Sequence, residues 1–592
     1  MDIKPIDAPA TVEERDAIDA LLGPPRSAWD GGARGNPRDA HVATVGGRES
    51  RAMRHLLLPS LQALQRRVGW ISEGGLGYVC DRLNVPPADA WGVATFYALL
   101  ATTPQARRVV HVCEDIACKC RGADALIASL PPGDWKRSPC LGKCDQAPAA
   151  YLTVAGEHPH DHLVGHVTAA DVGAMLGGAD PVDGPSTVIR QDSSSLRLLA
   201  RVGRVDPASL AAYRASGGFA ALEKAREIGA EAVIAEVTAS RLMGRGGAAF
   251  PTGRKWEAVR TQAVRPHYLI CNADESEPGT FKDRVLMEED PFVIVEAMAI
   301  AAFATACERA FVYIRGEYPL AAARLQHAIA QSRDAGLLPG VEIEIRRGGG
   351  AYICGEETAI FNSIEGLRGE PRNKPPFPVQ AGLFGKPTLV NNVETLANVP
   401  RIVLEGGAAF AAIGSGQSTG TRLFCLSGTI RDPGVYEAPY GITLRSLIEM
   451  AGGVESGRTI RAVLLGGAAG TFVRADELDL KLTHEDTRAA GTTLGSGVVM
   501  VVDDTIDLRA LVERIASFFR DESCGQCVPC RVGTIRQEEA LHRMAKKGRG
   551  DASKLALLDE VGMAMKDAPI CGLGQTAYSA IESAIRRLRI YD

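Results

Sequence analysis

Long apolar segments are missing from this sequence. The most apolar stretch, from Ile294 to Ala306, is 13 residues long and contains Glu296, whereas a helix that spans a bilayer needs about 20 residues. The first 50 residues are polar and lack the apolar region of a secretory signal. We therefore expect a soluble, cytoplasmic chain with no direct membrane insertion, so that any membrane role comes through partners.

A strong charge is missing as well. The net charge is −5, with 66 Lys and Arg against 71 Asp and Glu, which gives no basis for binding nucleic acid or an acidic membrane surface. We find no Ser/His/Asp or Cys/His arrangement that indicates nucleophilic catalysis, and no internal repeat. What remains is the composition of an ordinary globular protein, whose 592 residues correspond to about four domains.

Periodicity and composition divide the chain into segments. Apolar residues recur at helical spacing from Leu56 to Val68, a second helix is predicted from Pro86 to Leu99, and residues 109–112 and 149–154 are strand-like. In order, the predicted segments are a flexible N-terminal arm (1–50), a helical piece with an α/β domain (51–175), a linker (176–199), an α/β domain (200–415), a small β-rich insert (416–505) and a mostly helical part (506–592).

The fourteen cysteines carry the first functional signal. Without a signal sequence they are not expected to form disulfides. Cys113 and Cys118, followed by Cys140 and Cys144, offer four thiolates from two loops, which suits either zinc or a [2Fe–2S] cluster. Cys120 is close enough in sequence to compete as a ligand.

A second cysteine group is more specific. Cys524, Cys527 and Cys530 form a compact C-x2-C-x2-C run, and Cys571 provides a distant fourth thiolate. This spacing favours a [4Fe–4S] cluster over zinc, which usually takes two ligands from each of two loops. The other six cysteines stand among apolar neighbours and are predicted to be small buried side chains: Cys80, Cys120, Cys271, Cys307, Cys354 and Cys425.

Glycine-rich and acidic segments suggest a cofactor pocket between these cysteine groups. The glycines from Gly244 to Gly247 nearly match a dinucleotide fingerprint, but residues 230–242 before them are predicted to be helical, so an ordinary Rossmann loop is rejected and a tight turn explains them equally well. Arg245 and Lys255 could neutralise a phosphate there. Residues 272–280, 348–357 and 391–395 add carboxylates and amides, the first of them after a strand, where ligands bind in α/β folds.

These motifs resemble a known family. GRGGAAFPTGRKW, NADESEPGTFKDR, GGGAYICGEETA, KPPFP, NNVET, ESCGQCVPCR and CGLGQ occur in the order seen in the flavin-bearing NADH-dehydrogenase subunit of respiratory complex I and its relatives. Residues 51–175 resemble the small thioredoxin-like [2Fe–2S] subunit of that complex, fused upstream. The resemblance implies an α/β multidomain fold with a thioredoxin-like domain, an α/β flavin- and dinucleotide-binding domain, a ubiquitin-like β-rich insert and a C-terminal helical bundle.

The resemblance also implies cofactor contacts. It assigns Cys113, Cys118, Cys140 and Cys144 to a [2Fe–2S] cluster, and Cys524, Cys527, Cys530 and Cys571 to a [4Fe–4S] cluster. It implies NAD contacts from Phe250, Glu277, Tyr352, Glu357, Lys374 and Phe377. It implies FMN contacts from Gly244, Arg245, Gly246, Lys255, Asn272, Asp274, Glu275, Gly355, Glu356, Asn391, Asn392 and Thr395.

Three departures from the family pattern stand out. Ser276 and Ala249 replace residues that are usually or often glycine in the family, and the gap between the two N-terminal cysteine pairs is short. A hydride carries two electrons, while an iron–sulfur cluster passes one at a time, so FMN is expected between nucleotide and cluster. The reacting atom is then the flavin N5, with no catalytic side chain.

The expected function is that of a diaphorase subunit. We expect it in a cytoplasmic NAD-dependent formate dehydrogenase, beside a molybdenum- or tungsten-pterin catalytic subunit that carries further iron–sulfur clusters. The alternatives are a diaphorase subunit of an NAD-reducing hydrogenase or of a complex I-like NADH:quinone oxidoreductase, and a self-sufficient diaphorase. A further alternative, of another class, is a non-catalytic iron–sulfur electron-transfer subunit without flavin.

Overall fold

The structure, a computed structural model, describes residues 8–32, 38–39, 48–181, 191–192, 195–547 and 550–592. It confirms the predicted mixed α/β architecture with separate N-terminal, central, inserted and C-terminal parts. The predicted arm and linker fall partly on residues 1–7, 33–37, 40–47, 182–190 and 193–194, which lie outside the described residues.

The N-terminal part is helical, and the prediction of a flexible arm is wrong for the helix Val12–Leu22. A helix with a Thr11/Glu14 capping box packs through fully buried Ile18, and its Asp19 pairs with Arg82 and accepts a hydrogen bond from the Tyr78 hydroxyl at 2.8 Å. The polar residues that make these contacts are typical of a solvated segment, which is why the sequence did not indicate a packed helix. The helices of this part are Val12–Leu22, Arg48–Ala52, Leu57–Val68, Glu73–Leu83 and Pro87–Ala94.

Two further helices of this part differ from the sequence prediction. The helix Glu73–Leu83 was not predicted, because Gly74 and Gly75 lower helix propensity; an added Cβ on Gly74 would lie 2.5 Å from the Pro9 carbonyl oxygen. The helix predicted from Pro86 to Leu99 ends at Ala94. Beyond it, the Leu99 amide donates to the Gly349 carbonyl at 2.9 Å, so this end of the segment docks on the central domain instead.

The thioredoxin-like domain is a four-stranded sheet with cysteines at its loop ends. Its strands are β1 (Arg108–Cys113), β2 (Trp135–Ser138), β3 (Ala149–Val154) and β4 (His160–Gly165), in the order β2-β1-β3-β4. Strand β1 pairs parallel with β2 and antiparallel with β3. The helices of the domain are Ile116–Cys120, Ala123–Ser129 and Ala169–Leu176.

The central domain is built on a parallel sheet. Its strands are β5 (His267–Ala273), β6 (Cys307–Ile314), β7 (Glu342–Arg347) and β8 (Thr388–Asn392), in the order β7-β6-β5-β8, and every neighbouring pair is parallel. All four strands therefore end at the same edge. The helices are Leu210–Ala215, Ala220–Ile228, Ala230–Ala239, Thr252–Arg260, Lys282–Glu289, Pro291–Thr305, Pro319–Asp334, Glu357–Ile364, Pro378–Ala381, Val393–Ala397, Val399–Glu405 and Gly407–Ala411.

The insert contains a small hairpin and a five-stranded mixed sheet. The hairpin joins β9 (Gly414–Ser415) and β10 (Ser418–Thr419). The sheet has the order β12-β11-β15-β13-β14, with β11 (Thr421–Gly428), β12 (Gly434–Pro439), β13 (Ile460–Leu465), β14 (Thr471–Arg474) and β15 (Val498–Asp503). Its helices are Leu444–Met450 and His484–Ala489. One face of this sheet has its own apolar core, which includes Phe424, Leu447 and Val501.

The C-terminal part is a helical bundle, as predicted. Its helices are Leu508–Glu522, Val528–Lys547, Ala552–Asp567, Gly572–Thr576 and Ser579–Arg586. One continuous apolar core runs from Ile18 through the central domain to Tyr591, and so it joins the N-terminal, central and C-terminal parts. Within the described ranges, none of the helices combines the length and the hydrophobicity that crossing a bilayer requires.

A buried carboxylate in the most apolar helix yields a stability prediction. Glu296 accepts hydrogen bonds from the Tyr213 hydroxyl at 2.5 Å, the Phe219 amide at 2.9 Å and the Leu222 amide at 3.1 Å. Glu296→Leu would leave these donors buried without an acceptor, so we expect the local opening free energy to fall by about 3 kcal/mol. Hydrogen exchange at Phe219 and Leu222 measures this change.

The matched control is Glu223→Gln, on the exposed side of the neighbouring helix Ala220–Ile228. It should leave the exchange rates of both amides unchanged. Equal exchange rates in wild type and Glu296→Leu would show that Glu296 does not hold this segment.

Candidate functional site

The candidate pocket lies where the four parallel strands end. Residues 272–277 include the end of β5 and the loop after it, and residues 391–395 include the end of β8 and the turn after it. Arg315 and Gly316 follow β6, and residues 348–357 follow β7. The carboxyl ends of such strands form the usual ligand crevice of open α/β sheets. The structure therefore brings together the segments that the sequence singled out, and it adds the β6 loop, which the sequence did not indicate.

Hydrogen bonds join these loops to one another. The Thr395 hydroxyl accepts from the Arg245 amide at 2.8 Å, and the Asn272 side-chain amide donates to the Gly355 carbonyl at 2.8 Å. Gly246 lies against Asn392, where an added Cβ would come within 3.2 Å of that side chain. The glycine-rich loop thus closes directly over the end of β8, although a helix, Ala230–Ala239, precedes it.

The Arg245 side chain contradicts its predicted contact with phosphate. The side chain is fully buried, and its guanidinium donates to the Thr419 and Thr421 carbonyls at 2.9 and 3.1 Å and to the Tyr440 hydroxyl. Its carbon Cζ lies 4.7 Å from the centre of the Tyr440 ring. Arg245 therefore ties the glycine-rich loop to the insert, and its backbone is the part that faces the other pocket loops.

The amide side chains of the pocket are partly used by the protein itself. The Asn391 side-chain oxygen accepts from the Trp256 indole at 2.9 Å, and the Asn392 oxygen caps the helix Val393–Ala397 by accepting from the Glu394 amide at 3.0 Å. Asn392 also donates to Asp283 at 2.5 Å. Sequence reasoning missed Trp256 and Asp283 as members of this network, although both lie inside the motifs that carry the resemblance.

The carboxylates after β5 have unequal environments. Burial raises the pKa of Glu275 to about 8, while the amides of Asp283 and Arg284 donate to its carboxylate at 2.8 and 2.9 Å. Burial raises the pKa of Asp274 well above its usual range, and its oxygen Oδ2 is buried without a hydrogen-bond partner. A buried acceptor that lacks a donor fits a pocket that is completed by a polar ligand such as a flavin.

A charged and aromatic rim lies beside this pocket. Lys374 donates to Glu356 at 2.9 Å and to Glu357 at 3.0 Å, and Lys255 approaches Glu357 at 3.4 Å. Burial opposes ionisation of Glu357, but the charges of Lys255 and Lys374 outweigh it and lower its pKa. Phe250 and Phe377, two of the larger exposed apolar side chains, are 48% and 52% exposed.

Glu356 and Glu357 differ in role. One Glu356 oxygen caps the helix Glu357–Ile364, accepting from the amides of Thr358 and Ala359 at 2.8 and 3.0 Å. Its carboxylate is thus committed to the fold. The Glu357 carboxylate is paired with the two lysines of the rim and caps no helix, so it is the more available of the two for a ligand.

Tyr352 connects the pocket with the C-terminal bundle. Its hydroxyl donates to Glu277, and its amide donates to the Glu522 carboxylate at 2.7 Å. Burial raises the pKa values of Glu277 and Glu522 to about 7. Glu522 is the last residue of the helix that precedes the second cysteine group. Tyr352 therefore links the pocket, through its hydroxyl, to the segment before that group, through its amide.

The four thiols of the first cysteine group converge in a buried site. The sulfur atoms of Cys140 and Cys144 are 3.4 Å apart, and all four cysteines are buried. The hydrogen bond to Cys140, then burial and the nearby Cys118 and Cys113 thiols, raise the pKa of Cys144 well above its usual value. A metal bound at this site would stabilise the thiolate form and so offset the cost of ionising these buried thiols. Burial raises the pKa of the Cys120 thiol to about 12, and the charges that also act on this pKa belong to Arg121, Asp503 and Lys119.

The second group is closer to the surface. Cys530 is buried, while Cys524, Cys527 and Cys571 are partly exposed. Burial raises the pKa of Cys530 to about 12, and the neighbouring thiols Cys527, Cys571 and Cys524 also raise it. Gly574 lets the Cys571 segment approach, since an added Cβ would lie 3.1 Å from the Cys530 Cβ. Of the scattered cysteines, Cys80, Cys271, Cys307, Cys354 and Cys425 are buried as predicted, and Cys120 is partly buried.

The two departures in the pocket have visible consequences. Ala249 has φ of 50°, a left-handed conformation that favours glycine, so the alanine here is strained. The Ser276 hydroxyl donates to the Asp274 carboxylate at 3.2 Å, a bond that glycine cannot make.

Comparison with known families agrees with this arrangement. Models described as Thioredoxin-like [2Fe-2S] ferredoxin, Nuo51 FMN-binding domain, SLBB domain and NADH-ubiquinone oxidoreductase-F iron-sulfur binding region match residues 45–132, 237–401, 423–468 and 510–590. The first match includes Cys113 and Cys118 but stops before Cys140 and Cys144. Fold and pocket therefore define a component of a flavin- and iron–sulfur-dependent oxidoreductase.

Two similar sequences and one similar structure show which oxidoreductases this chain resembles. One of the NADH-quinone oxidoreductase F subunits of Rhizobium meliloti (strain 1021) is 45% identical over 403 residues, which are 66% of this chain and 95% of that protein. NADP-reducing hydrogenase subunit HndC of Solidesulfovibrio fructosivorans is 42% identical over 404 residues, 67% of this chain and 82% of that protein. A crystal structure of NAD+-reducing [NiFe]-hydrogenase in the air-oxidized state matches with a TM-score of 0.79 and 32% identity, over 91% of this chain and 94% of the other.

The chain belongs to the family of NADH-quinone oxidoreductase F subunits. It is an NADH-dehydrogenase-type electron-transfer subunit with FMN-, [2Fe–2S]- and [4Fe–4S]-binding domains.

The cysteine geometry predicts the metal content. The purified chain should contain FMN and about six iron atoms, two in one cluster and four in the other. Cys144→Ser should remove about two irons and Cys530→Ser about four, measured by iron analysis of anaerobic preparations with flavin quantified in parallel. Cys307→Ser, at a buried cysteine outside both groups, should keep the full iron content. Zinc in place of iron at either group would contradict the assignment.

Proposed function

We propose that this chain is the diaphorase subunit of a cytoplasmic NAD-dependent formate dehydrogenase, with formate oxidised on a separate molybdenum- or tungsten-pterin subunit. The observation that carries the proposal is the complete, buried set of Cys113, Cys118, Cys140 and Cys144 in the fused thioredoxin-like domain. A full set resembles formate dehydrogenase diaphorases, whereas the fused domain of NAD-reducing hydrogenases often lacks part of it. The matched family regions leave no segment of this chain large enough for a pterin domain.

Within this proposal the chain's residues divide into three sites. The loops after β5, β7 and β8, with Gly244 and Gly246, would enclose FMN, and the buried Asp274 oxygen Oδ2 would find its missing donor there. The rim with Phe250, Phe377 and Glu357 would bind NAD. Bound FMN supplies the exchange between two-electron and one-electron transfer. The two cysteine groups would hold the clusters that take the electrons onward.

A hydrogenase diaphorase is the second candidate. The structural match to the NAD+-reducing hydrogenase covers 91% of this chain, which includes the fused N-terminal part, whereas the match to the Rhizobium meliloti relative covers 66%. The fused architecture thus favours a soluble-type dehydrogenase or hydrogenase complex over a quinone-reducing complex. It is equally compatible with formate and with hydrogen as the electron donor.

The native complex decides between these candidates. We expect a complex isolated through this chain to reduce NAD with formate and to contain molybdenum or tungsten. Hydrogen-driven NAD reduction with nickel would replace the proposal by the second candidate. Co-purifying membrane subunits with quinone reductase activity would reject both.

An apolar stripe beside the second cysteine group yields a prediction about the partner. Val528, Val532 and Ile535 are 59%, 45% and 42% exposed and lie on one face of the helix Val528–Lys547. Apolar exposure next to partly exposed ligands fits the docking site of an iron–sulfur subunit. Val532→Glu should lower formate-driven NAD reduction by about tenfold or more, while NADH oxidation by ferricyanide stays within about twofold.

Val264→Glu is the control for this substitution, because Val264 is 52% exposed in the loop before β5. It should leave both rates unchanged. A loss of ferricyanide activity in Val532→Glu would mean that the stripe supports the fold instead of a partner.

The charged rim predicts nucleotide preference. Glu357 is ionised next to Lys255 and Lys374, and its carboxylate would repel a 2′-phosphate. Glu357→Gln leaves both lysines without this counter-charge, so the ratio of kcat/KM for NADH to that for NADPH should fall by about tenfold. The similarity to a protein named NADP-reducing shows that the family as a whole does not fix this preference.

Steady-state kinetics with both nucleotides tests the prediction. Glu289→Gln, at the end of the helix Lys282–Glu289, serves as the charge-matched control and should keep the wild-type ratio. Equal use of NADH and NADPH by the wild type would contradict it.

A further inference from the structure

The loop between Cys140 and Cys144 is packed directly on the pocket loop of the central domain. Gly142, with φ of 70°, leaves no room for a side chain, since an added Cβ would lie 2.0 Å from the Tyr318 hydroxyl oxygen. The Tyr318 hydroxyl is also 3.2 Å from a Glu275 carboxylate oxygen. The loop of the first cysteine group and the loop after β5 therefore pack on the same buried side chain, Tyr318.

Arg315 joins the two loops with charged hydrogen bonds. One guanidinium nitrogen donates to the Cys140 carbonyl at 2.6 Å, and another donates to the Glu275 carbonyl at 2.7 Å. Arg315 is the first residue after β6 and is 2% exposed. Its guanidinium charge therefore lies directly against the backbone of one of the four cysteines of this group.

Glu317 balances part of this charge. Its carboxylate accepts from Arg315 at 2.9 and 3.2 Å and is itself 5% exposed. Arg284 makes a parallel link, from its guanidinium to the Gly142 carbonyl at 3.1 Å and to Asp145 at 2.8 Å, but it is paired with two carboxylates, Asp145 and Glu288. Arg315 is thus less neutralised than Arg284.

We propose that Arg315 is a positioning residue that raises the reduction potential of the [2Fe–2S] cluster in the Cys113–Cys144 group and fixes that cluster against the Glu275 loop. The inference rests on the proposed ligand set. Reduction adds one negative charge to a cluster, and a buried cation close to a ligand stabilises the reduced form, because charges interact strongly where water is excluded. Glu317 offsets this effect, so Arg315 and Glu317 should shift the potential in opposite directions.

The test is a potentiometric titration of the full chain, followed by the electron paramagnetic resonance signal of the reduced [2Fe–2S] cluster. Arg315→Gln should lower the midpoint potential of this cluster, Arg315→Lys should lower it less because it keeps the charge, and Glu317→Gln should raise it. Arg82→Gln is the matched control, since Arg82 is also buried and paired with a carboxylate, Asp19, but contacts neither loop. The [4Fe–4S] potential should move less than the [2Fe–2S] potential in every variant.

The outcomes distinguish failure of the ligand set from failure of the role of Arg315. Wild-type chain without a [2Fe–2S] signal would overturn the ligand set on which the inference rests. A normal signal with potentials unchanged in Arg315→Gln and Glu317→Gln would overturn the inference alone. Shifts of the same sign in Arg315→Gln and Glu317→Gln would show that disturbed packing, and not charge, sets the potential. If Arg315→Gln fails to retain its cluster, Glu317→Gln decides: a raised potential supports the inference, and an unchanged potential overturns it.

Discussion

The contact between the thioredoxin-like domain and the central domain is organised around Arg315, which lies between a cysteine-bearing loop and a pocket-forming loop and donates to both. A buried guanidinium is costly unless its donors and its charge are satisfied, and here two carbonyls and the Glu317 carboxylate satisfy them. Removing either loop would leave donors of this arginine unsatisfied in the core. The thioredoxin-like domain and the central domain are therefore joined at this contact by buried hydrogen bonds as well as by the chain itself.

Electron transfer imposes a second constraint, because a nucleotide exchanges electrons in pairs and a cluster accepts them singly. The pocket loops meet both cysteine groups through short connections: Arg315 and Tyr318 toward the first group, Tyr352 and Glu522 toward the second. The first group is buried between domains, while the second is partly exposed beside an apolar stripe. This difference suits an internal cluster and a cluster that faces a partner.

Features that depend on local pattern could be predicted from the sequence. The strand that ends at Cys113, the helix Leu57–Val68, the cysteine groups and the order of motifs were all recognisable, since spacing and periodicity encode them. Long-range partners could not be predicted. Arg245 stands in a motif typical of phosphate binding, but its guanidinium donates to the insert. Gly349 and Gly350 accept hydrogen bonds from the segment that contains Leu99, in addition to lining the pocket. The helix Val12–Leu22 is rich in polar residues, which in the sequence are typical of a solvated arm. Arg315 stands in no motif, and only the fold brings it to Cys140.

Electron transfer from NADH through flavin to both clusters within this one chain can be observed directly. The measurement is a stepwise anaerobic titration of the purified chain with NADH, with flavin absorbance and the paramagnetic signals of both clusters followed together. We predict that NADH bleaches the flavin and that reduced [2Fe–2S] and [4Fe–4S] signals then appear in the same chain, without any partner subunit. Flavin reduction with both clusters left oxidised, or cluster reduction in a preparation that contains no flavin, would contradict this prediction.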